Sequence, residues 1–474
     1  MDDLTPKRTG MPLWINGADK RDAGRYERDY ARMLSETYRH NQVIVFFRKI
    51  PGEKEIKEVQ EDLIESVKEL KGNPDPANIQ VIKCDNCICP VVLFIGNDFH
   101  TVINTEGVKA GSRPKPPVVG EYSLNFFNRS PFDKQDGDPS PKFKFEPRPA
   151  SEDKKKDKIV VAVLDTGFDP KLVDPAYLWK NNDLKSDCYG KAESGWNFSD
   201  LSTGGSGGPD FSDDHFGRHG TVVTKYIINE FLNSKMNAVE IMSLKTHDSA
   251  GLGDFFGIVC ALHFAIAKGA NIINASWGFY YYYQDQFPYL SELINKTLRK
   301  KGILFVAAAG NQFPDEDAIA KQIYLSEFNQ NLTDDQLRNL AIHHFYPGDL
   351  SALKNNVITA TTTDGASSTS PTQNYSKLHA DIGVEADKNM KFRVPFAGSR
   401  EMIGGSSFAT AIATGIIGAF SSKRIFTPNN PTKADIFKAL SDPGSTGTSY
   451  PVVFDVPPLS RKHIRRGVST RKTH

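Results

Sequence analysis

The sequence lacks any long apolar run. Its longest, residues 411–420, falls far short of the roughly 20 residues a membrane-spanning helix needs. It also lacks net charge: 58 Lys and Arg stand against 57 Asp and Glu, so no global field draws the chain to nucleic acid or an anionic membrane. Cysteine is sparse. There are five, an odd number, with Cys84, Cys87 and Cys89 close together, which is unlike a disulfide framework. The first residues, Met1-Asp2-Asp3-Leu4-Thr5-Pro6-Lys7, lack the basic-then-apolar run of a secretory signal. These absences argue against membrane and nucleic-acid partners and point to a cytoplasmic protein with reduced thiols. What is present, 39% hydrophobic and 11% aromatic residues over 474 positions, suits two or three domains with a sizeable core.

Periodicity divides the chain. Residues 1–110 read as a small α+β domain: a charged helix over 21–39, a strand over 42–48, then an amphipathic helix. Ile56, Val59, Leu63, Val67 and Leu70 recur there at helical spacing, with Gly72 as C-cap. Short strands follow at 79–83, 91–95 and 101–104. Residues 111–157 have the proline, glycine and charge content of a linker, within which residues 122–127 could dock on a surface. Residues 158–457 alternate apolar strands (159–164, 239–244, 271–275, 303–308, 357–360) with helices near 255–268 and 290–300. That pattern predicts a doubly wound, mostly parallel α/β sheet with its site at the carboxyl ends of the strands. Residues 458–474 form a basic tail without apolar period.

Four short segments carry chemistry. Val161-Ala162-Val163-Leu164-Asp165-Thr166-Gly167 is a buried strand delivering a carboxylate at its tip. An aspartic peptidase would need a second such segment sharing its proton, and Asp364-Gly365-Ala366 does not supply one. In Asp213-Asp214-His215-Phe216-Gly217-Arg218-His219-Gly220-Thr221 a glycine-flanked histidine opens a helix; His215, His247, His263, His343 and His344 read as structural. Phe305-Val306-Ala307-Ala308-Ala309-Gly310-Asn311 ends a strand on an amide donor. Gly404-Gly405-Ser406-Ser407 places serines at the start of a small-residue helix, where a hydroxyl meets free N–H groups.

Asp, His, Asn and Ser in this order resemble the catalytic domain of the subtilase family, as do Gly195-Trp196-Asn197-Phe198 and Asn274-Ala275-Ser276-Trp277-Gly278. The resemblance implies a serine endopeptidase with Ser407 as nucleophile, His219 as base, Asp165 as orienting carboxylate and Asn311 as oxyanion donor. It implies that Ser276, Trp277 and Gly278 pair with substrate backbone and that they, with Ala308, Ala309 and Gly310, wall the specificity pocket. It requires no cofactor for chemistry, allows structural calcium, and implies a protein or peptide substrate. Departures are Val222-Val223 where the family carries a second histidine, Ser406 for its threonine and Ala411 for its proline.

Three alternatives stay open. Residues 1–110 read either as a prodomain-like restraint or as a recognition domain for a regulatory protein partner, and the whole chain either as a peptidase or as an inactive peptide-binding protein on the same fold. Cys84, Cys87 and Cys89 with His100 have the ligand count of a zinc site, although ordinary thiols on one strand are the simpler reading. The aromatic run Phe279 to Tyr283 reads as a subsite wall or as surface packing.

Overall fold

The computed structural model describes residues 38–84, 89–103, 114–130, 156–181, 192–281, 287–364, 368–386, 391–393, 402–436 and 452–454, apart from a few single positions within these spans. Most of the expected helix over 21–39, Cys87 and the basic tail lie outside them.

The N-terminal part builds on β1 (Tyr38–Phe47), α1 (Glu53–Glu69), β2 (Gln80–Lys83), β3 (Val91–Ile95) and β4 (Val119–Arg129). α1 starts where the Glu55 side chain accepts from the Gly52 N–H at 2.9 Å, and its apolar stripe Ile56, Val59, Leu63 and Val67 is buried. The left-handed residue past its end is Lys71, not Gly72; Gly72 is needed instead for close approach, since an added methyl would lie 2.6 Å from Val67. The strand expected at 101–104 is a 3₁₀ turn, Phe99–Val102, closed by the Thr101 hydroxyl donating to the Asp98 carbonyl at 2.6 Å.

The linker reading of residues 111–157 is corrected by β4. Residues 122–127 do not dock on a surface but form the middle of this strand, antiparallel to β1, with Tyr122, Leu124 and Phe126 buried. Surrounding proline and charge diluted that alternation in the sequence.

The larger part holds β5 (Asp157–Asp165), β6 (Gly195–Asn197), α2 (His219–Leu232), β7 (Asn237–Lys245), β8 (Leu252–Asp254), α3 (Phe255–Ala267), β9 (Ile272–Ala275) and β10 (Phe279–Tyr281). Then come α4 (Pro288–Glu292), continuing as a π-helical stretch Leu293–Leu298, β11 (Leu304–Ala308), α5 (Pro314–Phe328), α6 (Asp334–Arg338), β12 (His344–Tyr346) and β13 (Val357–Asp364). β14 (Ser368–Thr369), β15 (Ile382–Ala386), β16 (Lys391–Arg393), β17 (Met402–Gly404), α7 (Ser406–Phe420) and β18 (Val452–Phe454) complete it. The main sheet runs β18-β15-β13-β11-β9-β5-β7-β6, parallel from β15 to β6, as the doubly wound expectation requires. One face packs α2 and α7, which approach so closely that a methyl on Gly415 would lie 2.7 Å from the Ile227 carbonyl. The other face packs α3 and α4.

That second core does not stop at the boundary between the parts. Val43, Ile44, Phe46, Leu93 and Phe94 belong to the same buried cluster as Phe255, Phe256, Phe264 and Trp277. Burial of each such phenylalanine contributes about 2–3 kcal/mol, so this shared core is a major part of the fold's stability. β4 continues across the junction and pairs antiparallel with β8, extending the small sheet to β2-β3-β1-β4-β8. A buried Arg39–Asp254 ion pair at 2.8 Å, a Gln42 side chain donating to the Ser202 carbonyl and a Phe256 N–H donating to Asn125 add polar contacts.

A disulfide joins Cys84 to Cys260 of α3. This corrects the expectation of reduced thiols: the three clustered cysteines suggested local partners, whereas folding brings up one from a distant helix. Cys84 is thereby removed from the zinc reading, and the His100 ring nitrogen accepts instead from the Asn41 N–H at 3.1 Å. Cys89 is buried. Among the described residues no group of three or more His, Cys, Asp or Glu side chains is placed to hold a metal ion. No helix among them is long and apolar enough to cross a membrane.

Candidate active site

β5 ends on Asp165, fully buried between β7 and β9. The N–H groups of Thr246 and His247, just past β7, donate to its backbone carbonyl at 2.9 and 3.2 Å, and the Thr166 N–H donates to its Oδ1 at 2.7 Å. The chain turns at Gly167 with φ +122°, a conformation that favours glycine.

His219 begins α2 and is 3% exposed, with Nδ1 2.7 Å from Asp165 Oδ1. Two devices set it there. Gly220 comes so near the Gly167 turn that a methyl would lie 2.6 Å from the Gly167 carbonyl. Asp213 accepts from the Thr221 N–H at 2.9 Å, the Thr221 hydroxyl at 2.6 Å and the Thr166 hydroxyl at 3.0 Å, which ties the helix start to the strand end. Burial pushes the Asp213 carboxyl upward against those bonds. For Asp165 burial also works upward, but the charge of His219 and its hydrogen bond prevail and hold the carboxyl below its usual range.

His215 and His247 flank this pair. Burial, followed by repulsion from His219, pushes His215 down to about 3, and its Nδ1 accepts from the Gly217 N–H at 3.1 Å. Burial likewise pushes His247 down to about 4 against the pull of Asp165. Both are neutral at ordinary pH.

α7 brings the serines. The Ser406 hydroxyl accepts from the Gly310 N–H at 3.1 Å, while the Ser407 hydroxyl donates to the Ser276 carbonyl at 3.0 Å. The Ser276 hydroxyl returns a bond to the Ser407 carbonyl at 2.9 Å. The next ring, Phe408, lies 5.4 Å from the His219 imidazole, so the start of α7 and the start of α2 meet. Asn311, 2% exposed, accepts from the Ser406 N–H through Oδ1 at 2.9 Å. Its Nδ2 has no hydrogen-bond partner among the described residues. The amide is thus anchored at its oxygen through the residue preceding Ser407.

The two segments expected to line the pocket are both buried: Ser276, Trp277 and Gly278 follow β9, and Ala308 ends β11 with Ala309 and Gly310 just after it. Phe279 and Tyr281 of the aromatic run pack on Phe287 and Tyr346, and the Tyr280 hydroxyl donates to the Asn311 carbonyl at 2.9 Å. That is packing behind the site rather than an open subsite wall.

The sequence model of the subtilase family matches residues 156–445, more than half of the chain. The chain belongs to the subtilase family. Several solved structures match it in part. Fervidolysin, a keratinolytic enzyme from Fervidobacterium pennivorans, is 14% identical with a TM-score of 0.44, the match covering 81% of this chain and 55% of that one. This subtilase therefore spans about half of fervidolysin's length. The epidermin leader peptide processing protease of Staphylococcus aureus is 16% identical, with a TM-score of 0.44, covering 81% of this chain and 88% of that one. A lanthipeptide protease is 18% identical with a TM-score of 0.38, covering 61% of this chain and 80% of that one. No curated protein matches the chain in sequence.

Motif reading missed one residue at this site. Ser130, past the end of β4, has its hydroxyl 3.2 Å from Asp165 Oδ1 and 3.1 Å from His219 Nδ1, and its N–H donates to the Gly251 carbonyl at 3.0 Å. Nothing local marks this serine; it reaches the site only because β4 pairs with β8.

Proposed function

We propose that this subtilase is a serine endopeptidase that hydrolyses peptide bonds of protein substrates through an acyl-enzyme. Ser407 Oγ forms the bond to the scissile carbonyl carbon while its proton passes to His219; that proton then goes to the departing amine. Water, deprotonated by the same histidine, breaks the ester and restores the hydroxyl. Asp165 holds the imidazole tautomer and stabilises the imidazolium. Charge developing on the carbonyl oxygen meets the Asn311 amide and the N–H groups at the start of α7. Substrate backbone adds as a strand beside Ser276, Trp277 and Gly278.

The buried 2.7 Å Asp165–His219 bond beside the start of α7 carries this reading. A fluorophosphonate probe tests it on the full chain. Labelling is expected in the wild type and in Ser406→Ala and lost in a folded Ser407→Ala. Labelling of Ser407→Ala, or none in the wild type, refutes the assignment.

The N-terminal part reads as a restraint on the same site. Its β4 lies antiparallel on β8 and runs into the Asp165–His219 pair at Ser130, where an extended substrate would be drawn. This favours restraint over a recognition domain that leaves the cleft open.

A further inference from the structure

Against both segments expected to wall the pocket lies a side chain that no motif indicated. Phe345 lies on β12, which pairs antiparallel with β10 so that Phe345 faces Tyr280. Its ring reaches both at once. A methyl placed on Gly310 would meet Cγ and Cδ1 of Phe345 at 2.9 Å, and one placed on Gly278 would overlap Cε1 and Cζ farther along the same side of the ring. One side of the ring therefore lies against both Gly278 and Gly310, taking the space beside each, and the residue is 3% exposed. It is also held in place. Tyr280 packs edge-on at 4.9 Å, and Ala309 and Leu340 share its cluster. Behind it the Asn374 amide donates to the Ala309 carbonyl at 2.8 Å and to the Tyr280 hydroxyl at 2.9 Å. A ring packed at interior density cannot swing aside for a ligand without opening a void, so the space it fills is lost to substrate.

We propose that Phe345 closes the pocket for the side chain preceding the scissile bond, so that this peptidase cleaves after glycine, alanine or serine and excludes large residues. The proposal rests on the peptidase reading above and adds the substrate class to it. Its logic is steric: the glycines at 278 and 310 give up the room their missing side chains create to the phenylalanine, not to substrate. The backbone contacts of a bound peptide remain available, because they use the main chain of Ser276 to Gly278 and not the pocket floor.

The test uses the full chain and two probes that need only this pocket: diphenyl esters of the α-aminoalkyl phosphonates that mimic alanine and phenylalanine. Ser407 Oγ bonds to phosphorus as phenol leaves, so the rate of Ser407 modification reports how the side chain fits. The alanine mimic is expected to react faster by about 100-fold, the scale of pocket discrimination by size. Phe345→Ala is expected to raise the ratio of the phenylalanine-mimic rate to the alanine-mimic rate by about tenfold or more. Phe345→Val, a smaller cut for a fold that does not tolerate alanine, shifts the same ratio part of the way. Equal rates for both mimics in the wild type, or an unchanged ratio in a folded, fluorophosphonate-reactive variant, overturn the proposal and leave Phe345 as a core residue behind an open pocket. Failure of Ser407 to react with fluorophosphonate at all refutes instead the peptidase reading on which it rests.

Discussion

The bridge between Cys84 and Cys260 gives a prediction whose size follows from its position. It closes a segment of 176 residues, and the chain-entropy model gives about 5 kcal/mol of stabilisation for a loop that long. Cys84 is the better side to change, being half-buried, whereas Cys260 is fully buried in α3 and a hydroxyl there would be desolvated. The rest of the junction stays: the shared core, the β4–β8 pairing and the Arg39–Asp254 ion pair hold the parts together without it. Cys84→Ser is therefore expected to fold, with its unfolding free energy lowered by about 3–5 kcal/mol. Urea denaturation of wild type and variant, each with and without dithiothreitol, measures this. Reductant should lower the wild type to the level of the variant and leave the variant unchanged. Superimposable curves for the oxidised wild type and Cys84→Ser refute the stabilising bridge. The restraint is read separately, by the rate at which fluorophosphonate labels Ser407. Loosening the junction lets the strand leading to Ser130 leave the triad more often, so labelling should speed up severalfold. Lower stability with unchanged labelling refutes the restraint and spares the bridge.

Asn311→Ala is expected to lower kcat by about 10²–10³ with little change in KM, the size established for such a donor in this family rather than worked out from this structure. A loss confined to KM makes Asn311 a turn residue instead. Acid should destabilise the fold well above carboxylate pH. Burial holds His215, His247 and His343 down to about 3, 4 and 3, against 6.5 unfolded, so the unfolded chain takes up protons the folded one refuses. Their stability is fully present above pH 6.5 and is lost as pH falls toward 4, at up to about 4 kcal/mol per pH unit for the three together. Chemical denaturation at pH 7 and pH 5 checks this, and equal stability at both refutes neutral burial.

How much of this was legible in the sequence depends on the range of the interaction involved. Asp165, His219, Asn311 and Ser407 each sit in a local signal: an apolar strand ending on a carboxylate, a histidine between a turn and a helix, small residues ending on an amide, a serine after two glycines. Strand ends and helix starts are fixed by backbone hydrogen bonds within a few residues, so these segments and their order sufficed to place the fold. The parallel sheet followed from the same alternation of apolar runs.

The misreadings that bear on the site are long-range. Residues 119–129 alternate as a strand does, but their surroundings have linker composition, and only pairing with β1 and β8 makes them part of a sheet. Cys84 finds Cys260 because α3 packs on the N-terminal sheet, not because of any spacing among cysteines. Ser130 and Phe345 reach the site from segments whose own pattern carries no chemistry. Sequence by itself determined which residues are the candidates for chemistry and on which elements they stand, because those choices are local. Tertiary structure alone decided what fills the space around them, because a ring laid against two glycines or a strand laid on a distant edge is set by packing density and by pairing across the chain.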